Sequence, residues 1–215
     1  MKSRSAPRRR SPRGRFAAAH DRKDRPPFDP YLSEIQHTIR TAPPEAAGGF
    51  SVHCRGPHPE FLQPVSEEDV LDHLGSMPSR FLCDLKGVFL LGGSRKQASV
   101  ALSRLFRYGA YWQGMIFLHP FPRSMMRMRF PRLPKPSIMQ DYLRAGAQFE
   151  REGDAWLCVF TPQSLRQFYL CDVLTHELGH HVDRHNLHPL RSRKTNGKAE
   201  RYAEWFAVTH GYARS

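Results

Sequence analysis

His176-Glu177-Leu178-Gly179-His180 is the stretch on which the reading of this chain turns. A helix advances about 100° per residue, so residues four apart share a face, and two imidazoles placed there can bite one metal ion. The glutamate between them then faces a metal-activated water, which is the core of a zinc hydrolase. A random chain with 12 His and 10 Glu in 215 residues contains this pattern with a probability of about 0.03, so the surroundings must carry weight too. They do. Thr161-Pro162 reads as an N-cap followed by proline at the first helical position, and no Pro or Gly interrupts before Gly179. The motif therefore belongs late in a long helix. Leu165, Phe168, Val173, Leu174, Leu178 and Val182 supply that helix with a buried side.

A hydrolytic zinc site needs a third protein ligand and leaves its fourth position to water. Residues 199–207 read as a second helix, in which Glu200 and Glu204 fall on one face. Glu200 can reach the metal, and Glu204 can accept a hydrogen bond from the free ring nitrogen of a ligand histidine. Ala203 and Ala207 on the same stripe allow close approach of the two helices. Residues 191–198, with Asn196-Gly197 among them, read as the turn that reverses the chain. A third histidine six residues after His180 is excluded, because Asn186 stands there. His181, His185 and His188 read as a solvated, His-rich helix end.

These residues resemble the HExxH metallopeptidases whose third ligand is glutamate, the gluzincins. The pairing of 176–180 plus Val182-Asp183 with Ala199-Glu200, Ala203-Glu204 and Phe206 resembles the catalytic domain of anthrax-toxin-lethal-factor-like peptidases. The resemblance spans about forty residues, 170–210. It implies an α+β, zincin-like fold: a small sheet over the active-site helix, which packs on a second, ligand-bearing helix. It also implies one Zn2+ per chain on His176, His180 and Glu200, with Glu177 as general base and Glu204 as support. Glu177 then takes a proton from the attacking water and passes it to the leaving nitrogen of a protein or peptide substrate, with no covalent intermediate. The family's oxyanion-stabilising tyrosine has no counterpart shortly before Glu200, where Arg191, Arg193 and Lys194 stand. Tyr202, Tyr212 and His210 are the alternatives.

Charge divides the chain. Its net +13 splits into +8 from residues 1–25, which carry ten Lys or Arg against two Asp, and +5 from the rest. Residues 1–27 read as a disordered basic tail and 28–215 as a single domain. Residues 121–136 hold five basic side chains, four prolines and no acid, and read as an irregular loop with exposed Met and Phe. Both basic segments suit nucleic acid or an acidic partner, so the alternative is a nucleic-acid-associated protein with a structural or degenerate metal site. No apolar run reaches eighteen residues and Phe16-Ala17-Ala18-Ala19 is too short for a secretory signal, which points to the cytoplasm and away from the membrane. Cys54, Cys83, Cys158 and Cys171 form no CxxC pair and read as reduced, buried thiols.

Elsewhere, helices are expected over 29–40, after Ser66 through a Ser66/Asp69 capping box, and over 97–108. Strands are expected over 87–91, 115–118 and 156–160, and residues 41–64 read as loop. An edge strand of the resulting sheet would align an extended peptide through its backbone.

Overall fold

The computed structural model describes residues 29–41, 49–99, 107–186 and 196–213. The basic tail at 1–27 lies outside the described residues, as does most of the helix expected over 97–108. The helices are α1 (Pro30–Thr41), α2 (Glu67–Gly75), α3 (Arg95–Ala98), α4 (Pro136–Arg144), α5 (Pro162–Gln167), α6 (Thr175–Asn186) and α7 (Asn196–His210). The strands are β1 (Ser51–Cys54), β2 (Phe61–Leu62), β3 (Gly87–Leu90), β4 (Gly109–Trp112), β5 (Met115–Leu118), β6 (Phe121–Pro122), β7 (Arg127–Phe130), β8 (Gln148–Glu152) and β9 (Ala155–Val159). Among the described residues the architecture is mixed α/β, with three small sheets and the helices packed around them.

The central sheet runs β1-β3-β5-β4, with β1, β3 and β5 parallel and β4 antiparallel to β5 at one edge. Its middle strands are apolar throughout because both faces are covered. Val88, Leu90, Ile116 and Leu118 point into the main core, which also takes Val70 and Leu74 of α2, Leu174 and Leu178 from the motif region, and Phe206 of α7. Phe89, Leu91 and Phe117 point the other way, onto Ile35 of α1. Glu34 ties α1 to the end of β3, accepting hydrogen bonds from Gly93 N–H at 2.9 Å and Gln97 Nε2 at 2.8 Å. The β4–β5 hairpin turns on Gln113 and Gly114, both at positive φ (48° and 85°). That pair of left-handed residues matches the twist of two antiparallel strands. No helix among the described residues is long and apolar enough to cross a membrane.

Several expectations hold. The first helix, the Ser66 capping box and the strands near 87–91, 115–118 and 156–160 are present. Others need correction. Residues 41–64 are not all loop, since β1 and β2 lie there; β1 has only Val52 and Cys54 as apolar residues, too few to signal a strand by themselves. Residues 121–136 are not an irregular loop. They form β6, a 3₁₀ turn over Arg123–Met125 and β7, with Phe121, Met125 and Met128 buried. Arg127 and Arg129 alternate outward around Met128, a period of two that the run of basic residues and prolines obscured. Of the helix expected over 97–108, Arg107 and Tyr108 are not helical: α3 ends at Ala98, and β4 begins at Gly109. Asn196, Gly197 and Lys198 open α7 instead of sitting in a turn, because Asn and Gly serve helix starts as well as turns.

Candidate metal centre

The motif helix starts as its sequence dictates. Thr161 caps α5 in a reciprocal box with Ser164, and Pro162 occupies the first turn. The helix then widens into a buried π-helical stretch over Phe168–Leu174 before α6 resumes. Such widened turns concentrate at functional sites. Thr175 closes the stretch: its hydroxyl donates to the Leu170 carbonyl at 2.9 Å, and His73 Nε2 lies 3.0 Å from the same oxygen. With that hydroxyl hydrogen spent on Leu170, His73 is the donor. Burial pushes the His73 pKa down to about 4, so the ring is neutral near pH 7.

α6 packs against both β4 and α7. The contact with α7 needs Gly179, because a Cβ there would lie 2.8 Å from Ala203 Cα and 3.1 Å from Phe206 Cβ. Ala203 and Ala207 are buried in this seam. The close approach brings Glu200 over the histidine pair. Its Oε2 lies 3.4 Å from His176 Nε2 and its Oε1 lies 3.6 Å from His180 Nε2. One ligand atom from each of the three residues falls within 4.8 Å of the others. Tetrahedral zinc with bonds of about 2.0–2.1 Å separates its ligand atoms by roughly 3.4 Å, close to each of these two distances, which involve different oxygens of the one carboxylate. Burial pushes the His176 pKa down, against the Glu200 carboxylate, which pulls it up. The neutral imidazole, the form that binds metal, is the one burial favours.

Glu177 is almost wholly buried, at 8 % exposure, and makes no hydrogen bond or ion pair among the described residues. Burial, reinforced by the Glu200 charge, pushes its pKa up to about 8. A carboxyl so placed holds its proton near neutrality unless a cation lies beside it. Gly109, at the head of β4, lies directly against it: a Cβ at 109 would sit 2.9 Å from both Cγ and Oε1 of Glu177.

The other sequence candidates fall as follows. Glu204 shares a cavity wall with Glu200, but among the described residues it accepts no hydrogen bond from His176 or His180. His181 is not solvated. It is buried at 3 % exposure, with Nε2 2.7 Å from the Cys83 carbonyl and Nδ1 3.2 Å from the Tyr111 hydroxyl. Both partners come from segments distant in sequence, so the His-rich pattern gave no hint of this anchoring. The side chains of His185 and His188 lie outside the described residues. Tyr202 packs on Trp205 and Phe206, His210 packs on Phe206 and Phe81, and the Tyr212 hydroxyl donates to Asp172. None of these three lines the cavity beside the ligand set. All four cysteines are free, with Cys158 and Cys171 buried; Cys54 and Cys83 are exposed, contrary to expectation, because β1 ends at Cys54 and Cys83 follows a surface 3₁₀ turn.

Sequence reasoning passed over six residues that line this cavity: Tyr108, Gly109, Asp141, Tyr142, Arg144 and Asp172. The Tyr108 and Tyr142 hydroxyls lie 3.0 Å apart. Tyr142 had a signal in the apolar periodicity of 136–144, whereas Tyr108 and Gly109 had none, because they face the motif only through sheet pairing. No protein-family model, curated protein or solved structure matches this chain.

Proposed function

We propose that this chain is a zinc-dependent metallopeptidase with a zincin-like domain. The observation that carries the reading is the convergence of His176, His180 and Glu200 at zinc-ligand spacings beside a buried, unpartnered Glu177. The donor set fits the ion: two imidazole nitrogens and one carboxylate, leaving room for a water. Zinc held there supplies Lewis acidity and brings the pKa of a water molecule toward neutrality. The chain's own residues do the rest. Glu177 accepts the water proton and returns it to the leaving amine, and its shielded position keeps that proton from exchanging with bulk solvent. The edge strand β4 starts at Gly109, against Glu177, and among the described residues pairs on one side only, with β5. An extended peptide that adds to its open side lies alongside the proton acceptor.

Glu177→Gln is predicted to keep zinc and lose peptide hydrolysis by at least 10²-fold, the usual scale for an essential general base. Undiminished cleavage of a peptide mixture by that variant sinks the reading. The alternative, nucleic-acid binding with an inert site, draws support from the basic balance of the chain and from Arg127, Arg129, Arg132 and Lys135, which all remain exposed. Its mark is affinity for duplex DNA or RNA that falls steeply with salt, without peptide cleavage.

A further inference from the structure

A cavity of about 460 Å³ opens beside the ligand set, within the range of small-molecule and side-chain pockets. Its walls are aromatic. The Tyr142 and Phe168 ring centroids lie 5.5 Å apart and those of Tyr108 and Phe168 5.1 Å, so three rings line one apolar trough. Beyond the groups at the reaction centre, the cavity carries Asp141, Asp172 and Glu204 against a single cation, Arg144. Arg144 is already committed: its Nη2 lies 2.6 Å from Asp172 and 2.9 Å from Asp141, its Nε bonds Asp172 at 3.2 Å, and its guanidinium rests on the Tyr212 ring. Asp172 also takes the Tyr212 hydroxyl. Asp141 is left at the rim, its side chain 43 % exposed, with its second carboxylate oxygen unbonded among the described residues. On a chain of net charge +13, this cavity has the opposite sign.

A trough of aromatic walls with a carboxylate at its mouth matches a long aliphatic stem that ends in a cation. We propose that this cavity receives a lysine or arginine side chain of the substrate next to the scissile bond, and that Asp141 selects its charge; this rests on the peptidase reading. An acidic side chain meets uncompensated carboxylates there. An apolar one fills the trough but leaves the second Asp141 oxygen without a partner, so it gains less than its basic isostere. The buried, unpartnered Glu177 also faces this cavity, as expected of a space built for an incoming ligand.

The test uses the zinc-loaded, full-length Glu177→Gln chain and three fluorescent hexapeptides that differ only in a central lysine, norleucine or glutamate. The lysine peptide is expected to bind at least 10-fold more tightly than the norleucine peptide, and the glutamate peptide more weakly than either. Asp141→Asn in the same background is expected to bring lysine and norleucine within about twofold, Asp141→Glu to restore the gap, and Glu150→Gln, on an exposed strand outside the cavity, to leave it unchanged. Equal binding of lysine and norleucine peptides with Asp141 intact overturns the proposal, as does a preference that survives Asp141→Asn. Hydrolysis by the wild type is scored separately. A lysine preference without cleavage of any peptide overturns the peptidase reading while leaving the cavity's selectivity in place.

Discussion

Glu177 and Gly109 show how far single residues control this site. The missing side chain at 109 gives the Glu177 carboxyl its place, since even a methyl group there would come within 2.9 Å of it. Gly109→Ala therefore displaces the Glu177 carboxyl without touching His176, His180 or Glu200. We predict zinc content unchanged and kcat reduced on the order of 10²-fold, the scale of a 1 Å misplacement. Loss of zinc in this variant, or full activity, contradicts that role. His73 offers a second test. The unfolded chain binds the His73 proton near its ordinary pKa of about 6.5, whereas the folded chain binds it only near 4. As pH falls the unfolded state protonates first, so stability is full above about pH 6.5 and declines to about pH 4, by about 3 kcal/mol at most. Denaturant unfolding across that window reads the loss, and His73→Gln should flatten it. An unchanged slope in the variant removes His73 from the account.

Among the elements, α6 and α7 matter most, because their separation sets the distance from Glu200 to the histidines. Gly179→Ala gains helix propensity of roughly 1 kcal/mol. Against this, the new Cβ meets the Ala203 backbone at 2.8 Å, where no flexible side chain can yield. Overpacking of about 1–3 kcal/mol prevails, and relief requires α7 to move away with Glu200. The prediction is net destabilisation with at least 10-fold weaker zinc binding, read by chemical unfolding and metal titration. A stabilised variant with unchanged zinc affinity refutes the tight seam. The meeting of His176, His180 and Glu200 was legible in the sequence because a spacing of four puts the histidines on one helix face and residues 199–207 read as a second helix. β4 was not legible. Gly-Ala-Tyr-Trp is short and lacks alternation, and its place at the sheet edge depends on pairing with β5. Tyr108 and Gly109 stayed hidden with it. Residues 121–136 misled for a different reason, since composition outweighed the alternation that buries Met128 between two arginines.

For the whole molecule, the balance of charge differs from that of the cavity beside the histidine pair. The chain carries +13 overall, yet the cavity beside the ligand set gathers carboxylates. Basic charge attracts acidic groups over a Debye length of about 8–10 Å, while an acidic cavity favours cations at contact range. The proposed hydrolysis, and with it the proposed place of the cavity next to the scissile bond, requires His176, His180 and Glu200 to act together. Zinc per chain, measured by elemental mass spectrometry after purification without chelators, is therefore the most direct test. The account predicts about one zinc in the wild type and a clear loss in Glu200→Ala. Wild-type protein that takes up no zinc when the metal is offered, or a Glu200→Ala variant that holds as much as the wild type, contradicts it.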